Sequence, residues 1–299
     1  ILFNVSLHVY NFSLPAVPTL KSNFGFTADD YYNETMEIFK THRMMEWAFV
    51  DLPKCTLFDN GSVQTINYTD LDAKMAYYHS INTYTVGIHA NSYATALPSG
   101  EFTVDGVIYT AANYSVSTKY NRTFLEYFDI FEAYLKGKTY TNEFGKTQSW
   151  FDEIYINARD EIQNAPEEVK QKTIAENKWL KEVVKCTIPI MQTVMEDAGG
   201  RTDILENVDI LCWHTQGYEK TLVTDWKAKG KEVWIYTTCA PRFPAPTMST
   251  AVMALQVRAL AWQCFVYNYT HYLIWDVVTP GNGRSGYGYG SWNGGSFFY

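Results

Sequence analysis

No stretch of the sequence stays apolar for the roughly 18 residues that a membrane-spanning helix needs. Apolar runs such as Ala259–Trp262 and Cys264–Tyr267 are broken after four residues, so no membrane span is expected. Basic excess is also missing. The 24 Lys and Arg stand against 32 Asp and Glu, for a formal net charge of −8. An acidic chain repels phosphate backbones, and no basic cluster reverses this locally, which excludes nucleic acid as a partner. Cysteine is sparse. Cys55, Cys186, Cys212, Cys239 and Cys264 include no C-x-x-C spacing, which disfavours zinc and redox motifs, and the odd count leaves at least one thiol free or paired outside the chain. The six histidines form no H-x-x-x-H pair, so no metal site is expected. A G-x-S-x-G nucleophile elbow is absent, and Cys239 reads as a structural or buried thiol before it reads as a nucleophile.

What is present is apolar and aromatic. Hydrophobic residues make up 46% of the 299-residue chain and aromatics 16%, enough for a large core and against disorder. The length allows two domains, or one (β/α)8 barrel with insertions. Acceptor sequons N-x-[ST] occur at Asn4, Asn11, Asn33, Asn60, Asn67, Asn113, Asn121 and Asn268. Chance would give about 2.6 from the Asn, Ser and Thr content, and the excess points to a eukaryotic secretory pathway with a secreted or cell-surface destination. Asn60, Asn67, Asn113, Asn121 and Asn268 are expected to carry glycans. Asn11 is expected to be unmodified.

Short β-rich runs alternate with helical stretches, the pattern of an α/β fold with parallel strands. Strands are expected near Leu7–Phe12, Glu46–Val50, Thr83–His89, Glu153–Asn157, Ile190–Val194, Val208–Trp213, Glu232–Thr237 and Tyr272–Val278. Eight strands in βα alternation predict a (β/α)8 TIM-like barrel with long βα insertions at Pro53–Asp70 and Tyr93–Tyr120. The helix opening at Pro166 is expected to be capped by Asn164, with Glu167 completing a capping box. The expected organisation is a link to an upstream domain over residues 1–6 and a barrel over 7–279. Residues 280–299 then form a Gly-rich loop and strand leading to a C-terminal extension. That stretch contains Gly281-Asn-Gly283-Arg-Ser-Gly286, but Tyr287-Gly-Tyr289-Gly follows where a dinucleotide site needs a helix. No cofactor is expected.

In such a barrel the reactive groups sit at the C-terminal ends of the strands. Asp152-Glu153 opens the fourth strand, on the stabilising face. Asp160-Glu161 lies just past its end, where two adjacent carboxylates can be aimed into one cleft, or can instead cap the next helix. Trp213 and His214 end the sixth strand, Tyr236 the seventh, and Trp275 and Asp276 lie late in the eighth. These, with Asn11 at the end of the first, are the candidate substrate-binding residues.

The chain resembles the catalytic domain of glycoside hydrolase family 123, whose members act on β-linked N-acetylgalactosaminides. The resemblance is carried by Val9-Tyr-Asn-Phe-Ser-Leu-Pro15, Asn23-Phe-Gly25, Tyr31-Tyr32, His42-Arg43, Asp160-Glu161, Val233-Trp-Ile-Tyr236, Pro241, Arg258 with Trp262, Leu273-Ile-Trp275 and the closing Trp292-Asn-Gly-Gly-Ser-Phe-Phe-Tyr299. It implies a (β/α)8 barrel, often preceded by a β-sandwich, and a retaining, substrate-assisted glycosidase. Glu161 would then be the acid/base and Asp160 the group that orients the sugar's acetamide. Trp213, Tyr236 and Trp275 would wall the sugar subsite. Ile162 departs from the family, which usually has Pro directly after the Asp-Glu pair. The same features fit a second reading, a catalytically inactive structural or glycan-binding glycoprotein that keeps the barrel. Either reading implies a glycan partner and allows assembly with other extracellular glycoproteins.

Overall fold

The computed structural model describes residues 18–25, 32–141, 147–194, 202–215, 220–237 and 254–274. Eight parallel strands form one sheet. They are β1 (Lys21–Phe24), β2 (Ala48–Val50), β3 (Val86–His89), β4 (Ile154–Asn157), β5 (Ile190–Val194), β6 (Ile210–His214), β7 (Glu232–Thr237) and β8 (His271–Ile274). Every neighbour around the sheet is the next strand in sequence, except that β1 pairs with β8. A parallel bridge between Phe24 and Glu46 then joins β1 to the approach to β2. Phe24 N–H donates to Met45 O and Trp47 N–H to Phe24 O, both at 2.9 Å. The sheet thereby closes into the expected barrel.

Six longer helices lie between the strands: α1 (Tyr32–Thr41), α2 (Thr69–Ser80), α3 (Tyr120–Gly137), α4 (Glu167–Lys178), α5 (Lys220–Ala228) and α6 (Ala254–Val266). On α3, Phe124, Phe128, Phe131 and Leu135 are buried at a spacing that keeps them on one face. They join the main core between helices and sheet, to which the strands contribute Val86, Ile88, Ile154, Ile156, Ile190, Val194, Leu211, Val233 and Ile235. The alternate strand residues Tyr155, Met191, Ile210, Cys212, Trp234, Tyr236 and Leu273 form a second, smaller cluster inside the barrel. The period of two thus sorts each strand into an outward and an inward set.

The two expected insertions are ordered. Pro53–Asp70 folds a hairpin, Cys55–Leu57 with Val63–Ile66, and Tyr93–Tyr120 a second, Phe102–Val104 with Val107–Tyr109. They lock together at Gly61, where Thr123 Oγ1 donates to the Gly61 carbonyl at 2.7 Å and lies 2.9 Å from Tyr114 Oη. Gly61 has φ +82°, and a Cβ there would stand 2.8 Å from the Tyr114 hydroxyl, so only glycine fits.

One strand differs from expectation. Leu7–Phe12 lies outside the described residues, and the place between β8 and α1 is taken by Lys21–Phe24. Ser22 and Asn23 are its buried middle, so β1 carries none of the alternating hydrophobic signal by which a strand is recognised. Asn11 therefore does not end the strand that fills this place, and it too lies outside the described residues, as do the expected segments 1–6 and 280–299.

Candidate active site

β4 sets the geometry of the acid pair. The ladder continues one residue past the strand, with Ala158 N–H donating to Met191 O at 2.9 Å, and then Arg159 and Asp160 turn out to solvent. At Glu161 the backbone becomes left-handed, with φ 41° and ψ 52°. That conformation costs a non-glycine residue about 1–2 kcal/mol, and such strain persists only where the surroundings over-determine it. Here they do. Glu161 N–H donates to Thr193 Oγ1 at 2.8 Å, Asn164 N–H donates to Glu161 O at 2.9 Å, and Ile162 is fully buried in the main core. Proline at 162 would push the preceding residue towards extended backbone. Ile162 leaves Glu161 free to turn.

Asn164 does not cap the following helix. Its amide donates to Glu161 Oε2 at 3.3 Å, and α4 starts at Glu167 with no side-chain cap. The expected cap residue is thus part of the acid's own environment.

The two carboxylates are held by different strands. Thr193, facing inward on β5, donates to Asp160 Oδ1 at 3.0 Å. Tyr236, facing inward on β7, donates to Glu161 Oε1 at 2.9 Å. The Tyr236 phenol is buried, and burial first and the negative charge of Glu161 second push its pKa well above the ordinary tyrosine value. It stays a donor at any working pH. His214 is fully buried and packs edge-on against Tyr236, with ring centroids 4.8 Å apart at 64°. Cys212, inside the barrel, is kept a neutral thiol by burial and, secondarily, by the charge of Asp160. Asp160 is exposed and Glu161 partly buried, so the pair has access to solvent while Thr193 and Tyr236, which hold it, are buried.

Of the other candidates, Trp213 is misplaced. It packs in the core between sheet and helices, on the opposite side of β6 from His214, so its ring faces α-helices and not the barrel mouth. Alternation allows only one of two adjacent strand residues to point inward, and here it is the histidine. Trp275, Asp276 and Cys239 lie outside the described residues. Asp152-Glu153 sits on the stabilising face as expected, with buried Glu153 2.7 Å from His79 Nε2. Thr193 and Asn164 are residues around the acid pair that sequence reading does not place there. A threonine on a strand carries no signal by itself, and the position of Asn164 before Pro166 points to a helix cap instead.

Among the described residues no group of three His, Cys, Asp or Glu could hold a metal ion, and no helix is long and apolar enough to cross a membrane. Cys55, Cys186, Cys212 and Cys264 are free and buried. Burial pushes the thiols of Cys55, Cys186 and Cys264 up to about 12.

The sequence profile of the glycoside hydrolase 123 catalytic domain matches residues 67–280. The chain belongs to this family. The matched span begins within the first hairpin insertion and contains both carboxylates together with Thr193, Tyr236 and Asn164, which bind them. Among solved structures, a family 123 glycoside hydrolase from Clostridium perfringens, described for glycolipid glycan hydrolysis, is similar at 12% identity and TM-score 0.51. The similarity covers 94% of this chain and 54% of that one. At such identity the likeness is one of fold. The chain spans about half the length of that family 123 relative. A family 113 β-mannanase from Alicyclobacillus acidocaldarius is similar at 14% identity and TM-score 0.38, over 90% of each chain. No curated protein sequence matches the chain.

Proposed function

We propose that this family 123 domain is a retaining glycosidase that cleaves β-linked N-acetylgalactosaminides with the help of the substrate's own acetamide. The observation that supports it best is the division of labour in the Asp160-Glu161 pair, two adjacent carboxylates bound by separate donors at the mouth of one barrel. In the first step the acetamide oxygen attacks the anomeric carbon and the glycosidic C–O bond breaks. The proton of Glu161 passes to the leaving oxygen. In the second step Glu161 takes a proton from water, whose oxygen attacks the anomeric carbon and reopens the acetamide ring. Asp160 orients the acetamide N–H and offsets the positive charge that develops on it. No protein nucleophile is required, one of the known exceptions to the two-carboxylate scheme.

The test is release of 4-nitrophenol from its β-N-acetylgalactosaminide. Wild type is expected to release it, Glu161→Gln to be slower by about 10²–10⁴-fold, and the β-galactoside without the acetamide to resist cleavage. Equal rates for wild type and Glu161→Gln would remove the assignment. No release by wild type would favour the inactive glycan-binding reading.

The reading includes a secreted or cell-surface glycoprotein. Asn60, Asn67, Asn113, Asn121 and Asn268 are all exposed. The first four engage neighbours through the side-chain oxygen, accepting from Ser62 N, Thr69 N, Thr110 N and Trp179 Nε1. Their nitrogen is the atom a glycan needs. Mass spectrometry of protein from a eukaryotic secretory host is expected to find these sites occupied.

A further inference from the structure

The substrate cleft of the proposed glycosidase needs an apolar wall, and Trp213 is not available for it. The inward faces of β2 and β3 carry another set of rings. Trp47, at the approach to β2, packs against the barrel-interior cluster and donates from Nε1 to Tyr155 Oη at 3.1 Å. Two residues on, the Phe49 ring lies 5.2 Å from Trp47 and stacks on the His89 imidazole, with centroids 4.3 Å apart and planes only 10° from parallel. Phe49 is partly buried and His89 exposed.

Phe49 occupies a place made for it. It pairs in register with Gly87, and a Cβ on Gly87 would come within 2.6 Å of Phe49 Cε1 and 3.2 Å of Tyr155 Cζ. The first separation is too short for a real Cβ and the second is tight, so a side chain at 87 would displace the Phe49 ring. The missing side chain is what lets the ring lie across β3. His89 pairs with Asn157 on β4, three residues before Asp160, so the stack and the acid pair emerge from neighbouring strands at the same end of the barrel. Burying an aromatic ring in the core needs no such arrangement. A parallel stack left open at a barrel mouth is the form taken by ligand-binding walls, flat and apolar with a polar edge.

We infer that the Phe49–His89 stack is the aromatic wall of the substrate subsite, taking the apolar C–H face of a pyranose ring. This rests on the proposed glycosidase reading for its kinetic test, but direct sugar binding tests it independently. The experiment compares wild type, Phe49→Ala, Phe49→Tyr, His89→Ala and Gly87→Ala. The readouts are kcat and KM on 4-nitrophenyl β-N-acetylgalactosaminide and binding of free N-acetylgalactosamine by ligand-observed NMR. Phe49→Ala and Gly87→Ala are expected to raise KM about tenfold or more with kcat within about threefold, as expected for loss of uniform binding. Phe49→Tyr should restore the wild-type KM. Since both are interior positions, His89→Ala, at an exposed residue, serves as the variant whose folding is least at risk, and it should raise KM in the same direction. An unchanged KM and unchanged sugar binding in folded Phe49→Ala and His89→Ala would overturn the wall. If wild type binds the sugar but releases no nitrophenol, the glycosidase reading fails. The wall is then upheld by loss of sugar binding in those two variants and overturned by its retention. A wild type that binds no sugar overturns both.

Discussion

The Tyr236 hydroxyl donates to Glu161 Oε1 at 2.9 Å, tying the seventh strand to the loop after the fourth. The phenol is itself buried, so the bond forms away from competing water, where a hydrogen bond to a charged group is worth about 1.5–3 kcal/mol. Tyr236→Phe removes the donor and little else. Its kcat is expected to fall by roughly 10–100-fold, with KM changed far less, and with the fold retained and the thermal transition lowered by only a few degrees. An unchanged kcat would show that the carboxyl of Glu161 is oriented without this bond.

Thr193 serves both acids at once, accepting from Glu161 N–H and donating to Asp160 Oδ1. Thr193→Val keeps the shape and leaves a backbone donor unsatisfied, at a cost of about 1–3 kcal/mol. Both kcat and Tm should fall, and Thr193→Ser should recover both. Steady-state kinetics with parallel thermal melts reads the result. A Val variant equal to wild type would mean that the left-handed turn at Glu161 is held by Ile162 and Asn164 alone.

Ile162→Pro is a more demanding test of that turn. It restores the residue usual in the family, yet proline disfavours the helical backbone regions in the residue before it. In this chain Glu161 stands at φ 41°. We expect Ile162→Pro to lower activity and also stability, because a fully buried side chain is lost from the core. Ile162→Val, which preserves the backbone freedom, should retain activity. A fully active proline variant would show that Glu161 works equally well from an extended backbone.

Stability is expected to fall with rising pH through Glu46. Its carboxyl lies beside the barrel seam and accepts from Tyr32 Oη at 2.9 Å. Burial raises its pKa above the ordinary 4.5, and the Tyr32 bond only partly opposes this. The folded state therefore holds the proton after the unfolded state has lost it, so the group's favourable contribution is complete below its ordinary pKa and is lost as pH rises through the folded value. Glu46→Gln keeps an acceptor for Tyr32 and carries no charge. Its Tm should match wild type near pH 4 and exceed it at pH 7. A constant difference between the two curves across that range would exclude the linkage.

The barrel was legible in the sequence because seven of its strands are runs of Val, Ile, aromatic and Cys residues set between helices. β1 was not, since its buried centre is Ser22-Asn23 and its neighbours in the sheet supply the apolar contacts. The acid pair was legible as a position, just beyond a strand end, but its geometry was not. The donors to Asp160 and Glu161 lie 33 and 75 residues further on, and no local pattern connects them. Trp213 shows the limit of reading strand ends. Alternation says that either Trp213 or His214 faces inward, and only the pairing of β6 with β7, His214 opposite Tyr236, decides which. Val183 shows another. By sequence spacing it belongs with Leu180 and Val184 on one apolar helical face, but a wide turn covers Trp179–Val183 and Val183 is 40% exposed while the other two are buried.

The pairing of β1 with β8 sets a timetable for biogenesis. Lys21 is opposite His271, about 250 residues later in the chain, a highly non-local contact. At roughly 5–20 residues per second, a ribosome adds the intervening chain in about 10–50 s. Throughout that interval one side of β1 offers unpaired N–H and C=O groups, and the tube stands open as a curved sheet with two edges, the arrangement to which stray strands add. Protection of those edges during synthesis would then bear on how much of this domain reaches its closed form.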